Sequence, residues 1–248
     1  MNSIAHNRVA IVTGGSTGLG LAITELFLRN GYRVLATALA DSLERKALAG
    51  EGLPSEFIAS DLNQPEAQSH IVIRHAISLW NQIDVLVNCA GRISHKEVAD
   101  VTTKDWDEVL NVNVKAPFFM AQAAVAHLEK TQGCIINISS TAAKNPMLKN
   151  QIYDTSKAAL NQLTRSLAME FRERKVRVNA LMPGGMRTPL VEEWLEKHLG
   201  HKPTAAELDS PNMRRPEDTA QGVLALASPE LWLINGAEIA IDSGFHIG

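Results

Sequence analysis

Short apolar runs rich in β-branched residues alternate along this chain with longer amphipathic stretches. Val9–Thr13 is the first such run; glycines stop it at once, and it reads as a buried strand. Residues 32–38, 57–60, 83–87, 134–140, 177–181 and 237–241 repeat the pattern, so seven strands are expected. Between them, residues 21–30, 64–80, 104–130, 151–174 and 216–227 carry helical periodicity. Gly31 is the expected C-cap of the first helix. Asp41-Ser-Leu-Glu44 reads as a capping box opening a further helix. Such a rhythm implies an α/β fold, a parallel, doubly wound sheet with right-handed crossovers. Ligands of these sheets bind beyond the carboxyl ends of the strands. Residues 189–215 depart from the rhythm, with a short helix at 191–199 inside polar, proline-containing chain, and read as a lid. No repeat or linker interrupts the chain, so residues 1–248 are expected to form a single domain.

Composition narrows the partners more than the chemistry. Hydrophobic residues at 45% and charged residues at 21% are ordinary for a globular protein, and a formal charge of −3 leaves no footprint for nucleic acid or an anionic membrane. No apolar run approaches the ~20 residues of a membrane span. The N-terminal residues lack the apolar core of a signal peptide. Cys89 and Cys134 make neither a disulfide framework nor a metal cluster. A cytoplasmic protein without a metal, acting on a small molecule, is the expectation.

Candidate chemistry lies at the ends of the strands. Gly14-Gly-Ser-Thr-Gly18-Leu-Gly20 stands between strand and helix, where glycines let the backbone turn tightly against a pyrophosphate at a helix N-terminus. Tyr153 and Lys157 are four apart and share one face of a helix. Alone, that pair is usually a solvated face. A cation near a phenol favours the phenolate, and with Ser140 on the preceding strand end the pair becomes a candidate proton donor and acceptor. Asn113 sits inside an expected helix, where asparagine is a poor choice, and reads either as a tolerated surface residue or as a kink or water site. His70 and His75 are expected to face solvent. About 20 residues after the glycines, where NAD-type units place a ribose-binding acid, the chain has Ala38 and Leu39.

In order and spacing, Thr13-Gly-x-x-x-Gly18-x-Gly20, Asp61, Asn88-x-Ala-Gly91, Asn113, Ser140, Tyr153-x-x-x-Lys157 and Pro183-Gly-x-x-x-Thr188 resemble the classical short-chain dehydrogenase/reductase family over essentially the whole chain. The resemblance implies a Rossmann-like seven-stranded fold and hydride transfer between NADP(H) or NAD(H) and a carbonyl or secondary alcohol. It implies an Asn113, Ser140, Tyr153, Lys157 tetrad, with Tyr153 as general acid or base and Ser140 polarising the same oxygen. Lys157 would hold the nicotinamide ribose and lower the tyrosine pKa, the oxidised nicotinamide adding to that shift, and Asn113 would hold a relay water. Gly14, Ser16, Thr17, Gly18, Leu19 and Gly20 would cradle the phosphates, with Ala38, Leu39, Asp61 and Leu62 on the adenosine. Asn88, Ala90 and Gly91 would line the ribose side, and Pro183, Gly184, Met186 and Thr188 the carboxamide side.

By the same analogy the substrate would meet Ser140, His95, Met147, Gly185 and Trp194, within a pocket built from residues 92–96, 141–151, 184–186 and the lid. Arg92, Lys144 and Lys149 at its edge hint at a polar or anionic substrate. Cys89 stands where the family has a second asparagine and is not expected to be a catalytic thiol; Ser243 replaces a terminal glycine. The absent acid at Ala38 and Leu39 favours NADP(H) over NAD(H), with Ser42 or Arg45 beside the extra phosphate. Relatives are commonly homotetramers or homodimers, and the same is expected here. A catalytically silent nucleotide-binding regulatory protein of this fold is the alternative, and an epimerase or dehydratase a third, less favoured for lack of a larger substrate domain.

Overall fold

A computed structural model describes residues 7–208 and 213–247, without the side chains of Leu190, Trp194, His198 and His246. Part of the expected lid, residues 209–212, and the Trp194 side chain therefore lie outside the described residues. The strands are β1 (Val9–Thr13), β2 (Arg33–Ala38), β3 (Ser55–Ala59), β4 (Val85–Asn88), β5 (Cys134–Ile138), β6 (Arg177–Pro183) and β7 (Glu238–Ile241). They form one parallel sheet in the order β3-β2-β1-β4-β5-β6-β7. Order reverses beside β1, which pairs with both β2 and β4, and such a reversal opens a crevice at the carboxyl ends.

The helices are α1 (Gly18–Arg29), α2 (Leu43–Gly50), α3 (Pro65–Trp80), α4 (Thr103–Leu110), α5 (Ala116–Thr131), α6 (Gln151–Glu170), α7 (Pro189–Leu199), α8 (Ala205–Leu208) and α9 (Pro216–Ala227). Because successive strand residues face opposite ways, the sheet feeds two cores. Ala10, Val12, Val85 and Ile136 pack with Ile23 and Phe27 of α1 and Val223 of α9. Ile11, Leu86, Ile135 and Val178 pack with Val72 of α3, Met120 and Leu128 of α5 and Leu167 of α6. Each fully buried aliphatic side chain contributes roughly 1.5–3 kcal/mol. No helix among the described residues is long and apolar enough to cross a membrane.

Several expected boundaries move, each for a physical reason. The first helix begins at Gly18 inside the glycine run, not at Leu21. The cap of α2 is Ser42, whose hydroxyl accepts from Arg45 N–H, so the capping box read at Asp41 is corrected. Asp41 instead grips the Arg45 guanidinium with both carboxylate oxygens. The long helix expected at 104–130 is three pieces: α4, a π-helical turn at Asn111–Lys115, and α5. The helix expected to end at Arg174 stops at Glu170, where a short 3₁₀ turn leads to Lys175 with φ 57°. The short helix expected at 191–199 begins two residues earlier, at Pro189, and a further single turn, α8, follows it.

Candidate active site

The crevice beside β1 is a cleft of about 640 Å³ whose walls include Gly14, Ser16, Thr17, Ala38, Leu39, Asp61, Leu62, Ala90 and Gly91. One hydroxyl sets its floor: Thr13 Oγ1 accepts from the N–H groups of Cys89 (3.0 Å) and Ala90 (3.1 Å), locking the β1 turn to the β4 turn. Gly14 has φ 67°, and a Cβ there would stand 2.9 Å from Ala90 Cα. A Cβ on Gly20 would overlap the Gly14 carbonyl. The glycines are thus demanded by close backbone approach, and the N-terminal N–H groups of α1 face the cleft from Thr17.

Not every predicted residue offers its side chain to the cleft. Leu19 packs into the core, and the Asn88 amide donates to Asn137. Met186 packs partly against the core beside Pro183, the last residue of β6, and Gly184 abuts Asp242. Thr188 caps α7 through its hydroxyl, and a Cβ on Gly18 would lie 3.3 Å from it, so the lid helix starts against the glycine turn.

Thr37 Oγ1, Ser60 Oγ and Asn63 Oδ1 are buried, line the cleft and have no partner in the protein. Buried polar atoms normally find partners, so this edge is built to receive a polar ligand, as the adenosine end of a dinucleotide is. Sequence reading missed these three; the available signal was a polar residue near the carboxyl end of a strand, Thr37 in β2 and Ser60 just past β3, whereas Asn63 lies in the turn that follows.

The inner end of the cleft meets the tetrad. A Cβ on Gly91 would come within 3.8 Å of both Asn113 Oδ1 and Lys157 Nζ. Asn113, 1% exposed, sits in the π turn, a feature that often marks functional sites. Its Oδ1 accepts from Arg92 N–H (2.8 Å), and its Nδ2 donates to Arg92 O and Ser156 Oγ (2.9 Å each). Of the two readings, the surface one gives way to the kink. Lys157, 4% exposed, donates to Ile138 O (2.8 Å) with its nitrogen 5.6 Å from the Tyr153 ring centroid. Ser139 faces inward and donates to Lys157 O, whereas Ser140 is partly accessible and acts on the Tyr153 phenol. The two neighbouring serines thus have different surroundings.

Electrostatics sets what the protein's own groups contribute to the tyrosine, apart from the nicotinamide. Burial pushes the Tyr153 phenol up to about 12, against a downward pull from Ser140. Lys157 does not bring it down: burial lowers the lysine itself to about 8. A dry site disfavours both charges, so the protein's own groups keep the phenol protonated at neutral pH. Cys89 is likewise raised to about 12 by burial, leaving its thiol protonated.

The basic rim is also spoken for. Arg92 pairs with Glu108, Lys96 with Asp105, Lys144 with Glu238 and Lys149 with Glu97. His95 lines the cleft wall, and Met147 stands 46% exposed at the edge of the loop after Ser140.

The chain is similar to known proteins over nearly its whole length. A family model described as enoyl-(acyl carrier protein) reductase matches residues 14–246. The chain is 34% identical to the 3-oxoacyl-(acyl-carrier-protein) reductase FabG of Thermotoga maritima, covering 98% of this chain and 99% of the relative. It is 33% identical to the D-xylose 1-dehydrogenase of Caulobacter vibrioides, covering 98% and 97%. The solved structure of Thermoplasma acidophilum aldohexose dehydrogenase superposes with a TM-score of 0.89 at 30% identity, covering 99% of this chain and 96% of that one.

Proposed function

Because the chain belongs to the short-chain dehydrogenase/reductase family and is an NAD(P)-dependent oxidoreductase acting on CH–OH and C=O groups, we propose that Tyr153 exchanges the proton at the substrate oxygen. The observation that carries this is the meeting, at Gly91, of the cleft beside β1 with Lys157 and Asn113. The nicotinamide, when bound, supplies or accepts the hydride and in its oxidised form adds a positive charge to the site.

Everything else falls to the chain. Ser140 hydrogen-bonds the substrate oxygen and orients it toward the phenol, which gives its proton during reduction and takes it back during oxidation. Lys157 holds the nicotinamide ribose, and Asn113 anchors the turn at Gly91 and Arg92 and holds a water that relays protons outward. Gly14, Ser16 and Thr17 hold the phosphates, and Thr37, Ser60, Asp61 and Asn63 the adenosine. With all four rim cations paired, an uncharged carbonyl or alcohol suits the mouth better than an anion.

NADP(H) is favoured over NAD(H). No carboxylate stands at Ala38, Leu39 or Ala40, and that of Asp41 is neutralised by Arg45, so nothing at the β2 end repels a 2′-phosphate. Arg45 is equally engaged and buried, which removes it from the role of a free phosphate ligand. The test is a panel of ketones, aldehydes and alcohols followed by nicotinamide absorbance with each cofactor. Turnover with kcat/KM higher for NADPH than NADH is expected; a strong NADH preference overturns the cofactor assignment. Binding without turnover on any substrate supports the silent regulatory alternative.

A pH signature follows from the raised phenol. Reduction needs the protonated form, which dominates across the neutral range, whereas oxidation needs the scarce phenolate. The kcat/KM for alcohol oxidation is expected to rise by up to tenfold per pH unit where that for carbonyl reduction stays level or falls. Parallel profiles in both directions would remove Tyr153 from proton transfer.

A further inference from the structure

The loop between Ser140 and Tyr153 is fastened by a carboxylate that the chemistry above does not use. Met147 N–H donates to Asp154 Oδ2 (2.9 Å) and Asn150 Nδ2 donates to Asp154 Oδ1 (2.8 Å). Asp154 follows Tyr153 in the first turn of α6 and is 9% exposed. Between the two donors, Lys149 adopts φ 60°, a left-handed conformation that a lysine holds only when its surroundings impose it. Its carbonyl accepts from Lys96 N–H (3.0 Å), and its ammonium pairs with Glu97 (2.8 Å). Residues 147–150 thus form a strap from the helix bearing Tyr153 to the segment that follows Gly91, with Asp154 as its anchor at the helix end.

A first-turn carboxylate is favourable to a helix on its own, but an exposed one would serve that end without the cost of burial. Here burial raises the hold on the proton, and the donors of Met147 and Asn150 oppose it. The carboxylate sits where the loop needs it.

We propose that Asp154 is a positioning residue for the substrate: by fixing residues 147–150 to α6 it sets the wall of the substrate site beside Ser140 and Tyr153. This rests on the hydride-transfer reading of the same site. Asp154→Ala removes both acceptors at once, whereas Asp154→Asn would be met by a turn of the Asn150 carboxamide, whose Oδ1 has no partner. The double variant Asn150→Asp with Asp154→Asn reverses the side-chain pair and restores a donor and an acceptor at both places.

Three quantities are read on the wild type and both variants: amide hydrogen exchange across 144–150, NADPH affinity, and kcat and KM for a carbonyl from the panel. Asp154→Ala is expected to speed exchange at 147–150 and to raise KM, each roughly ten- to hundred-fold. NADPH affinity and kcat should move far less, and the double variant should recover most of the KM. Unchanged exchange at 147–150 overturns the anchor. A fall in melting temperature with KM unmoved, or no recovery in the double variant, overturns the positioning role and leaves Asp154 a support of α6. A wild type that turns over no carbonyl overturns the hydride-transfer reading and this role together, while the exchange result still decides who holds the strap.

Discussion

Tyr153→Phe is expected to reduce kcat by about 10²–10⁴-fold, the range that positioned proton transfer contributes, while NADPH still binds. The substitution removes one oxygen and leaves the ring where it is, 5.6 Å from the Lys157 nitrogen. Folding should barely notice. The phenol is neutral at pH 7 in both the folded and unfolded states, since burial raises it from 10.0 to about 12. The exception is alkaline. A folded-state value above the unfolded one means that wild-type stability is lost as pH climbs through about 10–12, and the phenylalanine variant escapes that loss. Stopped turnover with intact cofactor binding, measured by fluorescence titration, is the expected pair of results. Surviving turnover would mean that another group handles the proton, and the assignment would be wrong.

Gly20→Ala is expected to damage both stability and cofactor binding, out of proportion to one methyl group. The added carbon meets the Gly14 carbonyl, which is backbone and cannot swing aside. Overpacking of this kind costs about 1–3 kcal/mol, and in a chain this long each kcal/mol lowers Tm by about 2–4 °C. The strain falls on the turn that faces the phosphates, so NADPH affinity should drop at least about tenfold. Gly50→Ala in α2 is the control, because a Cβ there meets nothing within 4 Å. It should leave affinity alone and stabilise by up to about 1 kcal/mol, the helix preference for alanine over glycine. Equal losses in both variants would show that the Gly14–Gly20 contact is not what excludes the side chain.

Fold and tetrad were legible because they rest on local signals: apolar runs of β-branched residues, glycines between strand and helix, and fixed spacing from Ser140 to Lys157. What escaped depends on partners distant in sequence or on competition between near-equal local choices. Asp41 and Ser42 are both good caps, and only the Arg45 guanidinium, drawing Asp41 away, decides between them. A kink at Asn113 is one of two readings of the sequence; the bonds of Asn113 to Arg92 and Ser156 that go with the π turn at Asn111–Lys115 reach residues 21 and 43 positions away. A lowering of the tyrosine pKa is the expectation from Lys157 and the oxidised nicotinamide together; what could not be read from the sequence is burial, a property of the folded chain that outweighs the protein's own groups. The anchor at Asp154 depends on Met147 and Asn150, which donate to it from the preceding loop. In the sequence Arg92, Lys144 and Lys149 hint at a polar or anionic substrate, and of their carboxylate partners Glu238 lies far along the chain and is brought in only by the fold.

The double hydrogen bond to Thr13 Oγ1 has a consequence for the order of assembly. It joins residues 76 and 77 positions apart, and the β1–β4 pairing beneath it closes a loop of the same size, with Val12 beside Val87. The strands and helices between them can form early from local contacts, but closing so long a loop comes later because its entropy must be met first. Until β4 docks, the glycine run lacks the wall at Ala90 that shapes it. A nascent chain that has left the ribosome only as far as β3 therefore carries the whole glycine motif yet no receptor for a nucleotide.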